Sequence, residues 1–213
     1  MLHVVSHTFS PVQENTYILH DGAGHACIID PGCYFPAERQ TLCDGIAALG
    51  TVPRLLLNTH CHLDHVFGNR FVHETWGLPL HIHPDELPVL KFAPEAGVLW
   101  QLPFDNYEGP LVYLEAGETV RVGSEELQVL LVPGHSPGHL AFYHAAGGYL
   151  IGGDVLFRQS VGRTDLPGGD LETLTRSIRA QFYTLPDETV VYPGHGPTTT
   201  IGFEKQHNPF VPG

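Results

Sequence analysis

Short apolar runs broken by turn residues fill the first thirty positions. Leu2 to Phe9, Thr16 to Leu19 and Ala26 to Ile29 are β-rich, and Pro11, Asn15 and the Asp21-Gly22 pair separate them. This pattern predicts three strands. The spacing then changes. Pro36 to Leu49 predicts a helix, with proline in its first turn and Gly50 just past its end. Arg54 to Asn58 predicts a strand, and Asp64 or His65 onward to Trp76 a helix with Val66, Phe67, Phe71 and Val72 apolar. Leu80 to Ile82 predicts a short strand, and Pro84 to Leu102 helical pieces broken at Pro88 and Pro94. Alternation returns in Leu111–Leu114, Thr119–Val122, Leu127–Val132, His139–His144 and Tyr149–Gly152, all read as strands. Asp170 caps a helix whose Leu171, Leu174, Ile178 and Phe182 form one apolar stripe. Val190 to Tyr192 is a last strand, and Thr199 to Gln206 a closing helix. The tail from His207 to Gly213, with two prolines, is expected along the surface.

Strands with a helix, then strands with a helix again, predict two similar α/β halves. Their β faces packed together with helices outside would make a four-layer αβ/βα sandwich. No linker-like stretch interrupts the chain, so residues 1–213 are read as one domain.

The formal charge of −13 argues against nucleic acid and anionic membrane surfaces as partners. No stretch is apolar enough to span a bilayer, and the first residues lack the regions of an export signal. Cys27, Cys33, Cys43 and Cys61 lack the spacing of a zinc ribbon or a disulfide framework, so reduced thiols and a cytoplasmic location are expected. Fifteen histidines are the abnormal count.

Several of those histidines lie where ligands gather. After the apolar run Leu55-Leu56-Leu57 come His60, His62, Asp64 and His65, three imidazoles and a carboxylate just past a strand's C-terminal end. Imidazole and carboxylate together suit a divalent metal. Further strand-then-turn segments carry metal-competent side chains: Val132-Pro133-Gly134-His135, Ile151-Gly152-Gly153-Asp154, Tyr192-Pro193-Gly194-His195 and Ile29-Asp30-Pro31-Gly32. If these strand ends line one rim, five imidazoles and two carboxylates converge. That is too many for one zinc and matches two metals sharing a carboxylate.

The remaining candidates have plainer readings. His139 is expected to hydrogen-bond behind the ligands. Asp30 is either a turn-forming residue or a partner that orients a ligand histidine. His81 and His83 are read as solvated, and Cys61 as a small packed side chain pointing away from its neighbours.

The ordered set His60-x-His62-x-Asp64-His65, His135, Asp154 and His195 resembles the metallo-β-lactamase superfamily over nearly the whole chain. Within it, Phe157 to Asp165 and Gly194 to Thr200 resemble the short bacterial glyoxalase II-like hydrolases that lack a C-terminal helical domain. The resemblance implies the αβ/βα sandwich with its metal site at one edge. It also implies a first metal on His60, His62 and His135, a second on Asp64, His65 and His195, and Asp154 bridging both. The cofactors would be two divalent ions, zinc or iron, with manganese a third candidate. The implied reaction is hydrolysis of a small-molecule thioester, S-lactoylglutathione or a related acyl-thiol, by a hydroxide shared between the metals. Asp64 would also carry the proton of that nucleophile. Arg163 aligns with the basic residue that meets glutathione in these relatives, though it could equally form an ion pair with Asp165. Asp165 and Pro197 stand where glyoxalase II proper has an aromatic residue and a tyrosine. The alternative is a persulfide dioxygenase, with one Fe(II) held by His60, His135 and Asp154. β-Lactam hydrolysis and nuclease activity are disfavoured.

Overall fold

The structure is a computed structural model that describes residues 1–213. The first half runs through strands β1 (His3–Phe9), β2 (Glu14–His20) and β3 (His25–Ile29), helix α1 (Pro36–Ala48), strand β4 (Val52–Leu57), helices α2 (Leu63–Val66) and α3 (Asn69–Trp76), strand β5 (Leu80–Ile82), helix α4 (Leu87–Leu99) and strand β6 (Leu111–Tyr113). The second half adds β7 (Thr119–Val122), β8 (Glu125–Leu131), β9 (Leu140–His144), β10 (Tyr149–Gly153), a small hairpin of β11 (Leu156–Phe157) and β12 (Ser160–Val161), α5 (Leu171–Ser177), β13 (Val190–Pro193), β14 (Thr199–Thr200) and α6 (Ile201–His207). Two six-stranded sheets result, ordered β1-β2-β3-β4-β5-β6 and β14-β13-β10-β9-β8-β7.

Three cores stack through the molecule, so the architecture is the expected four-layer sandwich. Ile18, Ile28, Leu56 and Leu80 pack outward against Leu42 of α1, Val72 of α3 and Leu90 of α4. Their neighbours Tyr17, Leu19, Cys27, Ile29 and Leu57 face inward, where they meet Val120, Leu127, Val129, Leu140, Phe142 and Ile151 of the other sheet. Ala141, Tyr143, Leu150 and Val191 then face out against Leu174 of α5 and Ile201 of α6. The strands read as unbroken apolar runs because successive side chains enter different cores.

Strand direction decides where the loops emerge. β8 and β10 both pair antiparallel with β9, and β13 pairs parallel with β10. Those three strands therefore end at one edge. In the other sheet β3 and β4 are parallel, so their ends also lie side by side. Backbone bonds join the two sheets at this edge: Leu140 N–H donates to Thr59 O (2.7 Å), and Asn15 N–H to Gly194 O (2.7 Å).

Several expectations need correction. The helix foreseen to Trp76 is two pieces, divided at Phe67-Gly68. Gly68 N–H donates to Pro31 O (2.7 Å), and a Cβ there would lie 2.6 Å from the same oxygen, so a long-range contact interrupts the helix. Conversely, α4 runs unbroken from Leu87 to Leu99 with Pro94 inside it. Pro94 cannot donate to Leu90 O, and the Asn106 side-chain amide does so instead (2.7 Å). Thr199 and Thr200 form a strand, with the closing helix starting at Ile201. The tail is not merely superficial, because Val211 is fully buried in the outer core. His83 is buried rather than solvated. Asp170 caps α5 as expected, accepting from Thr173 N–H (2.7 Å).

Candidate metal centre

All seven candidate side chains meet at this edge. His60, His62, Asp64 and His65 follow β4, His135 follows β8, Asp154 follows β10 and His195 follows β13. Glycines let the backbone come this close. Gly134 has φ +130°, and a Cβ there would overlap the backbone of Leu174. A Cβ on Gly194 would lie 2.7 Å from His65 Cε1 and would run into the Asp154 carboxylate.

The donors fall into two sets. His60 Nε2 lies 3.2 Å from His135 Nε2, and His62 Nδ1 lies 2.8 Å from that same His135 nitrogen. His195 Nε2 lies 3.0 Å from Asp64 Oδ2, and His65 Nε2 3.8 Å from it. Asp154 stands between them, with Oδ1 3.5 Å from His65 Nε2 and Oδ2 3.6 Å from both His135 Nε2 and His195 Nε2. The triads His60-His62-His135 and Asp64-His65-His195 each bring their ligand atoms within 4.8 Å of one another.

The opposite nitrogens of four rings are held by acceptors. His65 Nδ1 donates to Asp30 Oδ2 (3.0 Å), His135 Nδ1 to Arg163 O (2.8 Å) and His195 Nδ1 to Gln13 O (3.1 Å). Thr59 Oγ1 donates to Asp30 Oδ2 (2.6 Å), so its oxygen accepts from His60 Nδ1 (3.0 Å). Each of these bonds fixes the tautomer that leaves the Nε2 lone pair facing inward. Asp30 Oδ1 also accepts from Thr59 N–H (2.7 Å) and the Asn58 amide (3.0 Å). Of the two readings of Asp30, the orienting one is what the geometry shows.

Charge in the cluster is unbalanced. Burial pushes His60 and His139 well below the ordinary imidazole range, and burial with nearby His135 takes His62 to about 3. Burial acts the same way on His65, yet Asp64, Asp154 and Asp30 outweigh it and hold His65 well above its usual value. Burial would raise Asp154, but His65, His195 and His135 keep it far below the carboxylate range. The site therefore draws positive charge to one side while three neutral imidazoles converge on the other. His65 Nε2 and Asp154 Oδ1 are buried without a hydrogen-bond partner, their separation being too long for a good one. Inward lone pairs, unpartnered buried atoms and carboxylates that attract cations fit a pair of divalent ions. Asp154, Asp64 and His195 keep 11 %, 14 % and 29 % of their side chains exposed, which leaves that side open.

His139 lies behind the cluster, stacked on His60 at 4.7 Å and accepting from Asp154 N–H (3.0 Å). Cys61 is fully buried in the first core, away from the donors. Arg163 is tied to the cluster by its backbone oxygen on His135, while its exposed guanidinium is bidentate on Asp165 (2.7 and 2.8 Å). Sequence reasoning missed Thr59, Asn58, Asn15 and Glu86. None carries a local signal: Asn15 and Glu86 act on segments distant in the chain, and Thr59 and Asn58 work through Asp30, 29 and 28 residues away.

The depressed histidines set an acid limit for chelator-treated protein. His60, His62 and His139 stay neutral in the fold, whereas in the unfolded chain they titrate near ~6.5. Below that pH the unfolded state binds more protons, so stability should fall by about 1.4 kcal/mol per pH unit for each such ring. His65, His195 and Glu14, with raised values, act in the opposite sense as pH falls from 7 and offset part of that slope. Thermal melts at pH 7 and pH 5 check this, and equal stability would mean the three rings are not held neutral.

A family model described as the metallo-beta-lactamase superfamily matches residues 9–195. A Haemophilus influenzae protein named hydroxyacylglutathione hydrolase GloC is 36 % identical over 205 residues, 93 % of each chain. The crystal structure of TTHA1623 in a di-iron-bound form is 42 % identical with a TM-score of 0.88, covering 97 % of this chain and 100 % of that one. The crystal structure of the BLEG-1 B3 metallo-beta-lactamase is 35 % identical with a TM-score of 0.89, covering 99 % of this chain and 100 % of that one. No helix is long and apolar enough to cross a membrane. With the sandwich, the edge cluster and likeness along almost its full length in agreement, this chain belongs to the metallo-beta-lactamase superfamily.

Proposed function

We propose that this protein is a metal-dependent hydrolase of thioesters, of the hydroxyacylglutathione hydrolase type. The observation that carries the reading is Asp154, whose buried carboxylate stands between the two donor sets, with Oδ2 facing His135 of one and His195 of the other and Oδ1 facing His65. His60, His62 and His135 would hold one divalent ion and Asp64, His65 and His195 the other, with Asp154 shared. Zinc or iron fits this nitrogen-rich set, manganese less well, and the di-iron form of TTHA1623 supports iron as a candidate. When bound, such ions supply Lewis acidity, making water a nucleophile near neutral pH and stabilising negative charge on a carbonyl oxygen.

The chain's own residues do the rest. Asp64, ionised because His65 and His195 outweigh the effect of its burial, can hold at Oδ2 the proton taken from an attacking water. The open side at His195 and Asp64 admits the acyl-thiol. A departing thiolate needs little protonation, since thiols titrate near ~8.5. Arg163 would meet a carboxylate on the thiol carrier, exchanging its present partner Asp165 to do so. The substrate is a small molecule, and the charge of −13 supports neither nucleic acid nor an anionic membrane as partner. Four unpaired cysteines support a reducing, cytoplasmic setting.

Arg163→Ala should raise KM for a glutathione thioester by up to about fivefold, the value of an exposed ion pair, with metal content unchanged. Asp165→Asn, which frees the guanidinium, should lower that KM. Steady-state kinetics decide, and unchanged KM in both variants removes Arg163 from the substrate site.

The function itself is tested by assaying protein of measured metal content on S-lactoylglutathione, on a cephalosporin, and for oxygen uptake with glutathione persulfide. Thiol release abolished by a chelator is the expected result. Oxygen uptake with a single iron would favour the dioxygenase, and turnover of the cephalosporin alone would favour a lactamase.

A further inference from the structure

Glu86 is a buried carboxylate that the proposed mechanism does not use. It ends the 3-10 turn Pro84–Glu86 and is 1 % exposed. Its Oε2 accepts from Cys61 N–H (2.8 Å), and its Oε1 from Gly138 N–H (2.8 Å). Cys61 lies between His60 and His62 on the loop after β4. Gly138 lies between His135 and His139 on the loop from β8 to β9, in the other sheet. One side chain therefore ties together the two loops that carry His60, His62 and His135. Residue 138 must be small for this: a Cβ there would lie 2.8 Å from His83 Nδ1 and 3.0 Å from Glu86 N.

The second donor set has separate anchors. The Asn58 amide donates to His65 O (2.8 Å), and the Asn15 amide to Pro193 O (3.1 Å) and Gly196 O (2.9 Å) on either side of His195. Glu86 makes no hydrogen bond to the segment carrying His195.

We propose that Glu86 is a positioning residue for the three-histidine set alone, fixing the spacing of His60 and His62 against His135 by clamping their two loops. The inference rests on the two-set reading of the centre. It does not depend on which substrate is hydrolysed. Removing the carboxylate leaves two buried N–H groups without an acceptor and lets the loops separate. Partners behind a metal ligand typically change affinity by about 10–100-fold.

The test is chelator competition on zinc-loaded full-length protein, reading zinc released, in two backgrounds. In His195→Ala, which disables the second set, adding Glu86→Ala should weaken the remaining site by about 10–100-fold, and Glu86→Gln by less. In His135→Ala, which already breaks the first set, adding either change should alter affinity by no more than about twofold. Equal losses in both backgrounds would reduce Glu86 to a general structural role, and no loss in His195→Ala would remove it altogether. Should Glu86→Ala not fold, the nearly isosteric Glu86→Gln decides by the same comparison. Since zinc release is the readout, failure here leaves thioester hydrolysis standing, and failure of thioester hydrolysis leaves this result interpretable.

Discussion

Asp154→Ala should remove the metal pair and the activity together. Its carboxylate is the one group that faces both donor sets, with Oδ1 toward His65 and Oδ2 toward His135 and His195. Without it each set keeps only three donors, and the shared negative charge between two cations is gone. Removing one preorganised charge-stabilising group costs about 10²–10³-fold in kcat, and disrupting both ions should cost kcat/KM more than that. Metal analysis of the purified variant beside its thioester kinetics checks the expectation. A variant that keeps both metals and loses rate only modestly would show that Asp154 is not shared.

The second large effect is expected at Asp30, which touches no reacting atom. Asp30→Ala strips the acceptor from Thr59 N–H, Thr59 Oγ1, the Asn58 amide and His65 Nδ1 at once. Each buried donor left unpaired costs about 1–3 kcal/mol. A total of at least about 3 kcal/mol would lower Tm by roughly 6–12 °C in a domain of this size. Metal affinity should fall by about 10–100-fold as well, because Asp30 holds His65 directly and His60 through Thr59. Asp30→Asn should recover part of the stability but not the affinity, since an amide keeps one acceptor oxygen and points a donor at the others. Differential scanning calorimetry with and without metal separates the two effects. Loss of stability alone, with affinity intact, would make Asp30 a turn residue only.

The cluster of candidate metal-binding side chains was legible in the sequence because each follows a strand-ending apolar run, and the structure sends β8, β10 and β13 to one edge. The layers were legible for a related reason. Strands such as Ala26–Ile29 are apolar at every position, as burial on both faces requires. What stayed hidden depends on contacts distant in sequence. The break at Gly68 is made by Pro31 O, and the continuity of α4 through Pro94 depends on Asn106. The clamp at Glu86 joins loops of different sheets. Local propensity carries no information about any of these, whereas Asp30 was at least marked by its place at a strand end beside proline and glycine.

Anomalous X-ray diffraction from crystals of the purified protein tests the account most directly. The expected map has two metal peaks flanking the Asp154 carboxylate, one among His60, His62 and His135 and the other among Asp64, His65 and His195. A single peak confined to one triad, or full occupancy of both with Asp154 turned away, would contradict it.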